Sequence, residues 1–153
     1  MCGIAGGVGV QAPNRELLTK SLDSIDHRGP DERGTFLSDG ISLGMCRLAI
    51  IDVASGQQPI TDSNHQLQMV FNGEIYNFRE LRKALESKGH SFTSHSDSEV
   101  VLHLYQEYGT QFVDHLHGMF AVAIWDSRDK SLVLARDHME RNRFSTHKSQ
   151  MER

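Results

Sequence analysis

The unbroken apolar run Met119 to Trp125 constrains this chain more than any other segment, because it must be a buried strand. Shorter strand-like segments surround it. Ile4 to Val10 is apolar but broken by glycines. Gly34 to Leu37 and Ile41 to Cys46 flank Ser38-Asp39-Gly40, a hairpin signal. Leu48 to Val53 is a further short apolar strand. Gln66 to Asn72 alternates around Leu67, Met69 and Phe71, and Leu132 to Ala135 follows the Ser127 to Lys130 turn.

Helical spacing lies between these strands. Pro13 to Ile25 places Leu17, Leu18, Leu22 and Ile25 on one face, with Asn14 as N-cap and Leu17 opening the stripe. Asn77 to Lys88 aligns Phe78, Leu81 and Leu85, and Gly89 ends it. Asp97 to Tyr108 turns Val100, Val101, Leu104 and Tyr105 inward and stops at Gly109. Phe112 to Leu116 is a short helix or turn. Strands interspersed with helices predict two sheets covered by helices, an α+β layered fold.

Composition narrows the classes of partner. The 153 residues amount to about one domain, 38% hydrophobic and 24% charged, with a formal net charge of −4. No long basic run favours nucleic acid or an anionic membrane. No stretch approaches the ~20 apolar residues of a membrane span, and no export signal is visible. With only Cys2 and Cys46, the chain has no disulfide framework, and a reducing cytoplasm is expected. The nine histidines include no zinc-ligand spacing, so no metal site is expected.

Cys2 precedes Gly3, and removal of Met1 would leave a free α-amine on the cysteine itself. An amine with an ordinary pKa near 8 is partly neutral at pH 7 and can take the thiol proton. Taken alone, a second-position cysteine is more often a small buried residue. Likewise Asn72-Gly73, on residues alone, reads as a type I′ hairpin turn.

Seven segments in order change that balance: Met1 to Gly6, His27 to Asp31, Arg47 to Asp52, Gln58-Pro59, Asn72 to Asn77, Ser96 to Val100 and Gly118 to Ala121. Together they resemble the N-terminal glutaminase domain, a class II glutamine amidotransferase, of the glutamine-dependent asparagine synthetases. The likeness covers residues 1–139. It implies the N-terminal-nucleophile fold, an αββα sandwich of two antiparallel sheets between helix layers, here without its last strands.

The resemblance also implies roles. Cys2 is the nucleophile that forms a thioester with glutamine. Asn72 and Gly73 form the oxyanion hole, a side-chain amide and a backbone N–H. Arg47 binds the glutamine α-carboxylate, Asp97 accepts its α-ammonium, Glu74 lies nearby, and Ile50 and Ile51 lend backbone contacts. The implied partner is a synthetase domain or chain that accepts ammonia. ATP and magnesium belong to that absent domain, so none is expected here.

Residues 140–153 depart from the family and are polar and basic. Two expectations stand for them. One is a disordered tail. The other is a frameshift: with permissible codons, one G restored after Met139 yields Met-Gly-Ala-Gln-Pro-Phe-Leu-Tyr, close to the family's continuation. Absent strands would leave sheet edges open, from which marginal stability is expected. An inactive remnant, or a glutamine-binding subunit docking on a separate chain, remain alternatives to an active glutaminase.

Overall fold

The computed structural model describes residues 2–10, 12, 14–48 and 57–138. Strand β1 (Gly3–Val8) leads into helix α1 (Arg15–Ile25), then the hairpin β2 (Glu32–Ser38) and β3 (Ile41–Arg47). Short β4 (Ile60–Thr61) precedes β5 (Leu67–Ile75). Helices α2 (Phe78–Ser87) and α3 (Asp97–Tyr108) follow, then β6 (Gly118–Asp126) and β7 (Ser131–Arg136).

The strands form two antiparallel sheets, ordered β1-β3-β2 and β4-β5-β6-β7. Strand alternation assigns each face. In β3, Ile41, Leu43 and Met45 meet Val70, Ala123 and Trp125 of the second sheet. Cys46, on the opposite face, packs with Leu18 and Leu22 of α1. In β5 and β6, Leu67, Met69, Phe71, Phe120, Val122 and Ile124 cluster with Leu85 of α2 and Val101 and Leu104 of α3. The layers are therefore helix, sheet, sheet, helix, as predicted.

Local chemistry explains the element ends. Asn14 caps α1 through a bond from Leu17 N to Oδ1 at 2.9 Å. Ser96 caps α3, accepting from Ser98 N at 3.1 Å. The hairpin turns at Asp39-Gly40, where Gly40 has φ +76°.

The structure departs from a residue-by-residue reading at four points. Leu17 does not open the buried stripe of α1; it is 62% exposed, and Leu18 and Leu22 carry the contact. Val10 is not in the first strand, which ends at Val8. The strand β4 carried no sequence signal, having only two residues. Asn72-Gly73 is no hairpin turn, since β5 runs through both to Ile75. The predicted strand Leu48 to Val53 lies outside the described residues from 49 onward, as does the tail.

Candidate functional site

The site begins with register. Gly3 pairs with Cys46, which sets Cys2 beside Arg47 and Leu48 at the end of β3. There Leu48 N donates to Cys2 Sγ at 3.4 Å, while Leu48 O lies 3.8 Å from the same sulfur. Cys2 is half-buried, and its backbone nitrogen donates to Asn72 Oδ1 at 2.9 Å. That bond turns the carbonyl end of the carboxamide toward the cysteine and the Nδ2 end away as a donor. Arg28 Nε donates to Cys2 O at 3.2 Å, fixing the residue from the other side. Arg28 is supplied by a 3-10 turn at Asp26–Arg28. Gly29 follows, and a Cβ there would overlap the Cys46 carbonyl.

The second part is one edge of β5. Tyr76 N donates to His117 O at 2.7 Å, so residue 76 and, by alternation, 74 and 72 bond across to β6. Residues 71, 73 and 75 then point their N–H groups the other way. Phe120, the partner of Gly73, confirms this: its N and O both bond to Asp137, on the β7 side, at 2.9 and 3.0 Å. Along the β5 edge, Phe71 N donates to Gln58 Oε1 at 2.6 Å and Ile75 N to Asp97 Oδ2 at 2.9 Å. Between them the Gly73 N–H faces the same side, next to Asn72. Only glycine fits there, because a Cβ would overlap the Met119 carbonyl and crowd Phe120 Cα at 2.6 Å.

The third part is the charged rim. Arg47 is 6% exposed and pairs through Nη1 with Glu32 Oε2 at 2.7 Å. Both line a cleft of about 460 Å³ together with Gly34, Met45, Gln58 and Pro59. A planar guanidinium fork matches carboxylate geometry, and Glu32 already takes one such bond here. Asp97 is 8% exposed at the start of α3. Burial pushes its carboxyl up, N–H donors from Ile75, Ser98 and its own backbone oppose this, and the charge of Glu74 adds to the rise. Two acidic groups crowded this way favour a bound cation.

The structure thus bonds Cys2 to Asn72, with Gly73 the next residue of β5, sets Arg47 one residue from the Cys2 contact, and ties Asp97 and Glu74 to the end of β5. Ile50 and Ile51 lie outside the described residues. Arg28, Glu32 and Gln58 received no role from sequence, although Arg28 and Gln58 fall inside quoted motifs. Their signal is a contact across the fold, which no spacing reveals. Among the described residues, no three His, Cys, Asp or Glu side chains are grouped to hold a metal ion. Cys46 faces α1 whereas Cys2 packs toward the inter-sheet core, and both are free thiols.

Two antiparallel sheets between helices, with Cys2 bonded to Asn72 at their edge, are the arrangement expected of the N-terminal-nucleophile fold. The profile of the family described as Glutamine amidotransferase domain matches residues 1–151, and the chain belongs to that family. Within it, glutamine-hydrolyzing asparagine synthetase 2 of Bacillus subtilis (strain 168) is 39% identical over 142 residues, 90% of this chain and 19% of that protein. The glutamine-hydrolyzing asparagine synthetase of Zea mays is 44% identical over 140 residues, 90% of this chain and 24% of that protein. The chain therefore spans about a fifth to a quarter of the length of these relatives. Two solved structures share the fold. Glutamine phosphoribosylpyrophosphate amidotransferase from B. subtilis, complexed with ADP and GMP, aligns with TM-score 0.67 at 21% identity, covering 90% of this chain and 37% of that one. The allosteric regulatory enzyme of purine biosynthesis aligns with TM-score 0.70 at 20% identity and the same coverages.

Proposed function

We propose that this domain hydrolyses glutamine to glutamate and ammonia through a Cys2 thioester, as the glutaminase half of an asparagine-forming system. The observation that supports it most is the 2.9 Å bond from the Cys2 backbone nitrogen to Asn72 Oδ1, since removal of Met1 would turn that nitrogen into an α-amine beside the proposed oxyanion donor.

After Met1 is removed, the neutral α-amine takes the Sγ proton. The thiolate attacks the glutamine side-chain amide carbon, and the electron pair of the carbonyl moves onto oxygen. Asn72 Nδ2 and the Gly73 N–H stabilise that oxyanion; one such donor is worth ~100- to 1000-fold in rate. The α-ammonium returns its proton to the departing nitrogen, the C–N bond breaks, and ammonia leaves. Water, deprotonated by the same amine, attacks the thioester and releases glutamate. Arg47 holds the α-carboxylate and Asp97, helped by Glu74, the α-ammonium. Ile50 and Ile51 add backbone contacts to the substrate.

The ammonia acceptor is β-aspartyl-AMP, formed with ATP and magnesium in a synthetase domain or chain. The relatives at 39% and 44% identity, both glutamine-hydrolyzing asparagine synthetases, support this acceptor. No helix among the described residues is long and apolar enough to cross a membrane, and we place the reaction in the cytoplasm, without nucleic-acid or membrane partners. Ammonia release from glutamine by the purified chain, lost in Cys2→Ala, is the test. A chain whose intact mass shows no Met1 yet yields no ammonia would refute the proposal.

A further inference from the structure

Among the described residues, the β5 edge beyond β4 is continued by a side chain rather than a strand. Gln58 meets Phe71 twice: Phe71 N donates to Oε1 at 2.6 Å, and Gln58 Nε2 donates to Phe71 O at 3.0 Å. A carboxamide used this way imitates a strand neighbour's peptide. It does so where β4 has run out, since β4 pairs only with Gln68 and Met69. Gln58 is itself wedged from the first sheet, because a Cβ on Gly34 would overlap its carbonyl oxygen. The residue therefore spans both sheets and grips β5 one position before Asn72 and two before Gly73.

We propose that Gln58 is a positioning residue of the oxyanion hole, holding the β5 edge so that the Gly73 N–H and the Asn72 amide converge on one point. This rests on the glutaminase function above. The chemical reason is directional. The hole must present two donors to an oxygen that exists only in the tetrahedral adduct, and a displacement of ~1 Å costs about 100-fold. Ile75 N is fixed downstream by Asp97, so the short segment carrying the donors is pinned at both ends. Removing the Gln58 carboxamide frees the upstream end and leaves the Phe71 N–H and C=O to water.

The test separates transition-state from ground-state recognition. Glutamate binds through the charged rim alone. The γ-aldehyde analogue of glutamate adds the Cys2 thiol to its carbonyl carbon, the thiol proton ending on the new oxygen, and this adduct also uses the oxyanion donors. Gln58→Ala is expected to lower kcat about 10- to 100-fold with KM within about 3-fold. It should weaken the aldehyde at least about 10-fold while glutamate inhibition shifts less than about 2-fold. Gln58→Glu, which keeps the acceptor for Phe71 N but cannot donate to Phe71 O as a carboxylate, should show a smaller loss of the same shape. If the alanine variant does not fold, the glutamate variant decides by the same comparison. Equal weakening of aldehyde and glutamate in a folded variant, or unchanged turnover, would overturn the proposal. A wild-type chain releasing no ammonia instead sinks the glutaminase function. Aldehyde addition to Cys2, followed by intact mass, then still reads the effect of Gln58.

Discussion

Two carboxylates at the start of α3 sit two residues apart and do opposite work. Burial raises the Asp97 carboxyl, so its charge is held at a cost that a bound ammonium offsets. Asp97→Asn keeps an acceptor for Ile75 N but removes that charge. The glutamine KM should rise about 30-fold or more, equivalent to ~2 kcal/mol, with kcat little changed. Steady-state kinetics checks this, and an unchanged KM refutes it. Glu99 is also buried, and burial works to raise its carboxyl. His103, with Nε2 at 3.8 Å, and the hydroxyl and backbone donors of Ser94 and Thr93 outweigh burial and hold it well below the usual range. A depressed carboxylate contributes stability above its unfolded pKa of ~4.3, lost as pH falls toward the native value. Glu99→Gln should cost about 2–3 kcal/mol near neutrality. Denaturant melts of both forms should show the gap narrowing as pH drops below about 4.3. A constant gap would mean Glu99 acts through shape alone.

Elements carry what single residues cannot. Gly44 and Gly73 are both strand glycines without positive φ, yet they should respond differently to alanine. At Gly44 a Cβ meets only side-chain ends, Leu22 Cδ1 at 2.8 Å and Leu18 Cδ1 at 3.1 Å, which can shift. At Gly73 it meets the backbone of β6, which cannot move without opening the sheet. Gly44→Ala should cost about 1 kcal/mol, and Gly73→Ala about 3 kcal/mol or more, with turnover abolished. Chemical denaturation of the two variants decides the order. The same contrast shows what sequence could reveal. Met119 to Trp125 and the Asp97 to Tyr108 helix were legible because an unbroken apolar run and a helical apolar spacing both reflect burial. Asn72-Gly73 misled on residues alone, since a type I′ turn wants glycine for its positive φ whereas Gly73 is needed only because it lacks a Cβ. Leu17 misled because helical spacing does not tell which of two adjacent leucines meets Gly44. Gln58 was invisible as a structural residue: it lies in the loop before β4, and its partner Phe71 is thirteen positions away in β5.

Over the whole molecule, the first sheet separates two thiols of different fate. Cys46 is fully buried under α1, with Sγ 3.4 Å from Leu22 O, and burial pushes its thiol up. Cys2 is half-buried at the end of the inter-sheet core. A neutral alkylating reagent should therefore modify one thiol in the native protein and both in denaturant, as counted by mass. Early labelling of Cys46 would show α1 lifting from its sheet below the global transition.

The β5 edge has a consequence beyond catalysis. An edge strand offers a foreign strand a row of alternating donors and acceptors to zip onto, the first step of sheet-to-sheet aggregation. Here the row is ended by stubs: Gln58 answers Phe71 and Asp97 answers Ile75, each from a side chain that has no next residue to offer. An intruding strand would have to evict both before it gained a second rung. A small ligand needs only the single N–H of Gly73 between them. The edge thus admits something one carbonyl wide and refuses anything as long as a strand.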